Sequence, residues 1–376
     1  MSETKTHRRL KSKWKRAGVA FAAGTALLLG GIYVNANAAT TPSDSSAGDT
    51  SADATTATTE ASSSVSDVVD AANAFLDTLD TDQQSDVLLD FTEANATAWS
   101  NLPCGSTCRV GIEFSTLSDE QLTAAKAVVE AATGTGSGTG YDQITQILAA
   151  DDKLGETASG YGSGNYYLAF LGTPSTDGTW QLHFGGHHLA LNLTYKDGEV
   201  EGTTPFFIGV EPTSWTGDDG TSYAPLAGMH DGMEDMLAGL SDDELSEAKL
   251  SESFSDVLLG PGSDGDFPET REGLKVSELT DDQQELVLAA IEPWVDVADD
   301  TTAASVLSAY QADLDDTYIA YSGSSDLSAQ GDYVRIDGPG VWIELACQNG
   351  VVYQNQIHYH TVYRDHDSDY GGEFSF

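Results

Sequence analysis

Beyond about residue 66 the apolar positions recur with two periods. Ile357-His358-Tyr359-His360-Thr361-Val362-Tyr363 alternates with period two. It predicts a strand with His358 and His360 on one face, roughly 6.5–7 Å apart at the backbone. Trp180 to Gly186 reads as an aromatic-led strand running into glycines, and Leu189-Ala190-Leu191 opens a second apolar run just after His187 and His188. Val341-Trp342-Ile343-Glu344-Leu345-Ala346 is a strand pattern with a carboxylate among apolar neighbours, which is costly to bury unless paired, coordinated or protonated. Helix starts are written in capping chemistry: Asp80 with Gln83, Ser118 with Gln121, Ser241 with Glu244 and Thr280 with Gln283.

Part of this pattern occurs twice. Arg109 to Gln121 aligns without gaps on Arg271 to Gln283, with 6 of 13 positions identical. Tyr166–Gly172 resembles Thr317–Gly323, and each is followed by a turn-rich gap and an aromatic-led strand into glycines. These observations predict an α+β fold: two duplicated helix-plus-antiparallel-strand units, about 105–210 and 267–374, packed as one pseudo-twofold domain over 66–376.

Arg109-x-Gly111-Ile112, Gly186-His187-His188-Leu189, Phe206 to Pro212, Arg335 to Pro339, His358-Tyr359-His360-Thr361 and Asp369-Tyr370-Gly371 together resemble the DUF3500 family, exported bacterial and fungal proteins of unassigned function. The resemblance runs from about 70 to 374 and implies one intact family domain. It implies no reaction, so function has to be argued from the site.

The first residues change the address. Lys5, Arg8, Arg9, Lys11, Lys13, Lys15 and Arg16 precede the apolar stretch Ala17–Val34 and the small-x-small site Ala36-Asn37-Ala38. Residues 1–38 therefore read as a signal peptide, with an uncleaved anchor as the alternative, and the mature chain as secreted or held at the cell surface. Residues 39–65 are rich in Ala, Thr, Ser and Asp without an apolar period and read as a disordered tether. The net charge of −44 deepens once the leader is gone, since 9 of the 16 basic and 59 of the 60 acidic residues remain. Such a surface repels nucleic acid and anionic lipid, so neither nucleic acid nor membrane insertion after cleavage is expected. Cys104 and Cys108 suit a small disulfide loop, and Cys347 reads as a buried strand residue.

The chemistry is concentrated in histidine. Of the eight, His183, His187 and His188 fall in one window and His358, His360 and His366 in another. His187, His188, His358 and His360 are the expected metal ligands, one pair from each unit, and imidazoles without thiolates point to copper or zinc. Glu211 and Glu344 are the candidate catalytic carboxylates. Asp365 and Asp369 are candidates for orienting the His358/His360 pair. The expectation is an exported metal-dependent enzyme acting on a small-molecule substrate, with copper oxidation placed ahead of zinc hydrolysis and Tyr359, Tyr363 or Trp342 serving near the copper. The alternatives are a non-enzymatic extracellular protein that captures or buffers metal and a structural surface protein.

Overall fold

The computed structural model describes residues 64–218 and 220–376. The expected leader and tether lie outside the described residues apart from Ser64 and Val65. All four capping signals start helices: Asp80, Ser118, Ser241 and Thr280 each accept from the backbone three residues on, and the Gln or Glu there bonds back. Removing such a cap typically costs about 1 kcal/mol.

The chain runs α1 (Val65–Asp77), α2 (Thr81–Val87), β1 (Leu88–Leu89), α3 (Glu93–Ala96), β2 (Ile112–Glu113), α4 (Asp119–Ala132) and α5 (Gly140–Gly155). It continues through β3 (Tyr167–Leu171), β4 (Thr179–Gly186), β5 (Leu189–Lys196), β6 (Glu199–Gly202) and β7 (Phe206–Val210). A small ribbon of β8 (Trp215–Thr216) and β9 (Ser222–Tyr223) precedes α6 (Ala227–Ala238) and α7 (Asp242–Ala248). The remainder is β10 (Leu274–Lys275), α8 (Asp281–Val295), α9 (Asp300–Ala312), β11 (Tyr318–Ser322), β12 (Tyr333–Asp337), β13 (Val341–Asn349) and β14 (Ile357–Asp365). Among the described residues no helix is long and apolar enough to cross a membrane.

The fold is α+β, built on one 12-stranded sheet ordered β1-β3-β4-β5-β7-β14-β13-β12-β11-β10, with β2 beside β3 and β6 beside β5. Every pairing in it is antiparallel except β1 with β3. Strands β7 and β14, from opposite halves of the chain, pair in its middle, with His360 across from Gly209.

Strand alternation gives the sheet two unlike faces. One carries Leu182, Phe184, Ile208, Ile336, Ile343 and Tyr363 into a large apolar core with residues of α1, α4, α5, α6 and α8. Each such aliphatic or aromatic side chain contributes roughly 1.5–3 kcal/mol on burial. The other face carries a small apolar cluster around Trp99, Phe207, Val362 and Tyr370. It is otherwise polar yet buried: Gln181, His183, Asn192, Thr194, Arg335, Glu344, His358, His360 and Arg364 all lie there out of solvent. Buried polar groups need partners, and much of this face finds them in the connection between α7 and β10. Arg364, for example, donates to the carbonyls of Leu259 and Gly260 and to Asp264 and Asp369. Cys104 and Cys108 are disulfide-bonded, and Cys347 is a free buried thiol on β13.

Candidate metal centre

The polar face carries its densest chemistry at the middle of the sheet. Alternation along β14 puts His358 and His360 on this side, while Ile357, Tyr359 and Tyr363 pack toward the helices. His188 arrives from the other half of the chain. It is the second residue of the two-residue turn His187-His188 that joins β4 to β5, closed by the Gly186–Leu189 pair. Its φ of 62° is left-handed, a conformation His tolerates better than most non-glycine residues. Opposite the rings, β7 offers bare backbone: a Cβ at Gly209 would lie 3.0 Å from His360 Cδ2 and 3.1 Å from His188 Cδ2.

The three imidazoles converge through Nε2. His360 Nε2 lies 3.2 Å from His358 Nε2 and 3.3 Å from His188 Nε2. A tetrahedral ion with N–metal bonds of 2.0–2.1 Å has ligand-to-ligand edges of roughly 3.3–3.4 Å, so His360 Nε2 already stands about one tetrahedral edge from each of the other two. His360 Nδ1 donates to Asp256 Oδ1 at 2.8 Å, which turns its Nε2 toward the other two rings. Burial, then the neighbouring imidazoles, pushes His188 well below the usual histidine range. Burial, then His360, pulls His358 down to about 4. Both are therefore neutral at neutral pH, the form that ligates. Burial, the largest influence, would raise Asp256; the hydrogen bond and charge of His360, with Gln348 and the Val257 amide, together outweigh it and hold the carboxyl low.

His187 sits beside this trio. Its Nδ1 donates to Asp151 on α5 at 2.6 Å, and its ring stacks on that of His188 with centroids 3.7 Å apart. Tyr161 meets it edge-on. A pocket of about 210 Å³, lined by Pro103, Gly105, Arg109, Gly160 and Asn165, ends on His187. The turn is held from both sides: Tyr166 donates to the His187 carbonyl, and Arg109 Nη2 donates to the carbonyls of Gly186, Ser100 and Leu102.

The two carboxylates singled out in the sequence are both buried, and neither joins the three-histidine group. Glu211 Oε1 accepts from the amides of Val352 and Tyr353. Glu344 Oε1 accepts from the Leu258 amide and Tyr333 Oη, and Oε2 from the Leu259 amide and Trp342 Nε1. Asp365 and Asp369 do not reach the histidines. Asp365 takes Tyr310 Oη and two local amides, and Asp369 takes Arg364. The carboxylates that do contact imidazoles here, Asp256 on His360 and Asp151 on the adjacent His187, carry no pattern in the chain that marks them.

The other histidines among the described residues are employed elsewhere. His183 Nε2 donates to the Ala98 carbonyl. His366 stacks on Phe267. His230 donates to the Leu327 carbonyl and stacks on Tyr359, with Asp231 and Glu234 beside it as a second, partly exposed group of ligand type.

No curated protein and no solved structure matches this chain. Residues 61–372 match the family described as "Protein of unknown function (DUF3500)", which takes in the sheet, its helices and all three converging histidines, and the chain belongs to that family.

Proposed function

We propose that this protein is an exported metal-dependent enzyme whose centre is held by His188, His358 and His360. The observation that carries the reading is the convergence of three buried imidazoles, with His360 Nε2 3.2 Å from His358 Nε2 and 3.3 Å from His188 Nε2, and no fourth His, Cys, Asp or Glu in the group among the described residues. Structural zinc sites fill four positions with protein, whereas catalytic sites keep three protein ligands and one position open. A bound zinc would supply Lewis acidity and activate water for hydrolysis of a small-molecule substrate. Zinc moves ahead of copper because β14 turns Tyr359 and Tyr363 to the helix face and the Trp342 indole N–H is committed to Glu344. Of the two carboxylates, Glu211 is the better candidate proton acceptor, since among the described residues its hydrogen bonds from Val352 and Tyr353 go to Oε1 while both oxygens of Glu344 are engaged. His187 is assigned beside the metal, locked to Asp151, rather than on it.

The chain also reads as a duplication. β2, α4, α5, β3, β4, β5 and β7 of 105–210 follow the same succession as β10, α8, α9, β11, β12, β13 and β14 of 267–374. The two sets are arranged in mirrored order about the β7–β14 pair. Export rests on the leader sequence, and the acidic surface leaves metal cations and small molecules as partners rather than nucleic acid.

A second reading, capture or buffering of metal without turnover, is favoured by one observation: the pocket ends on His187 and not on the three ligands themselves. Elemental analysis of protein purified from its exported form without affinity tags or chelators tests the metal. About one equivalent of zinc is expected, and no stoichiometric metal after reloading overturns both readings. Zinc-dependent turnover of ester, amide or phosphoester substrates that disappears in His358→Ala then separates the enzyme from the buffer.

A further inference from the structure

Glu344 and Arg364 lie on the same face of the sheet, on neighbouring strands, each with 0 % exposure. They grip the same stretch of backbone from its two chemical sides. Glu344 accepts the amides of Leu258 and Leu259 at 2.7 and 2.9 Å. Arg364 donates to the carbonyls of Leu259 and Gly260 at 2.7 and 3.1 Å. Burying a charge is costly, and an apolar pair would cover the sheet at less expense. What two charged side chains add is register, because an amide row and a carbonyl row can be matched at only one setting of the loop. Two residues upstream of Leu258 stands Asp256. Its Oδ1 accepts the Val257 amide at 2.7 Å and His360 Nδ1 at 2.8 Å.

We infer that Glu344 is a positioning residue for the metal centre: together with Arg364 it sets the 256–260 loop so that Asp256 fixes the ring plane and tautomer of His360. This rests on the three-histidine reading above and gives Glu344 a different task from proton transfer. A carboxylate offers about four acceptor directions, and Leu258, Leu259, Tyr333 and Trp342 use all of them. No direction is left for a water or a substrate proton. Carboxylates that hold ligating imidazoles typically carry about 10–100-fold of metal affinity.

The test is zinc affinity of the full chain by competition with a chromogenic chelator, together with the visible absorption of the cobalt-substituted protein, for wild type, Asp256→Ala, Asp256→Asn, Glu344→Gln and the Asp256→Ala/Glu344→Gln double variant. The Asp256 side chain is 45 % exposed, so its removal leaves the fold intact. Asp256→Ala is expected to weaken zinc about 10–100-fold and to shift the cobalt bands, with Asp256→Asn, which keeps an acceptor, recovering part of the loss. Glu344→Gln places an amide donor against N–H groups and should lose a similar factor, yet add little on top of Asp256→Ala, because it acts through that residue. Should Glu344→Gln fail to fold, Tyr333→Phe, which removes one of its four partners, carries the same double-variant comparison.

Wild-type affinity and spectrum in Asp256→Ala overturn the inference, as do single losses that multiply in the double variant. A wild-type chain that binds no zinc overturns the metal reading itself, and that outcome is read before any variant is compared.

Discussion

The two faces of the central sheet are equally buried but do different work, and β14 shows both in nine residues. Toward the helices it sends Tyr359 and Tyr363 into the main core, and Thr361, which accepts from the indole of Trp294. Toward the other side it sends His358, His360 and Arg364. The helix face is satisfied by contact area, which is non-directional. The polar face is satisfied by partners at fixed atoms, which is directional and confers register. Stability should therefore respond to mutation on the first face, and ligand chemistry on the second.

The largest break in that comparison is expected on the helix side. Trp294→Ala deletes a fully buried indole and should lower unfolding free energy by about 3–5 kcal/mol, read by denaturant titration, while zinc affinity of the folded protein stays near wild type. The reverse is expected for His360→Ala. Zinc at about 100 times its dissociation constant stabilises the wild-type chain by about 2.7 kcal/mol. That increment should vanish in the variant, which in the absence of metal unfolds close to wild type.

A smaller effect is tied to pH. His183, on the polar face, is pulled from 6.5 to about 4, by burial first. As pH falls, the unfolded chain takes up this proton before the folded one, so the stability is complete above about 6.5 and is lost toward 4. From pH 7 to 5 the wild type should lose about 2 kcal/mol more than His183→Gln. Asp296, pushed up to about 6 by burial and then by Glu292 and Asp300, acts in the opposite sense and is common to both proteins, so it drops out of the difference. The smallest effect sharpens the alternation: Tyr359→Phe, between two ligands in sequence but on the opposite face, should change zinc affinity by less than about twofold and stability by under about 1 kcal/mol.

What could be read from the chain was what local physics encodes. The period of two along Ile357–Tyr363 separates His358 and His360 from Tyr359 without any tertiary information. The capping pairs at Asp80, Ser118, Ser241 and Thr280 are contacts over three residues. Of the adjacent pair expected to ligate from the first histidine window, His188 is in the cluster. Its neighbour His187 stacks on the His188 ring but commits its Nδ1 to Asp151, and no count of histidines reveals that. Asp256 and Asp151 meet their imidazoles across sequence separations of 104 and 36 residues. Such pairings are set by loop and helix placement, and neither aspartate stands out among 60 acidic residues. Asp365 and Asp369 were attractive only because they are near in sequence. Their partners turn out to be Tyr310 and Arg364.

Whether His188, His358 and His360 hold a metal is decided by X-ray absorption at the zinc edge on the reloaded wild-type protein, with the His188→Ala, His358→Ala and His360→Ala variants as controls. Three imidazole nitrogens at about 2.0–2.1 Å and one oxygen at the open position are expected, with one imidazole fewer, or no bound zinc, in each variant. A zinc shell of carboxylate oxygens, or one unchanged in all three variants, would contradict the three-histidine centre.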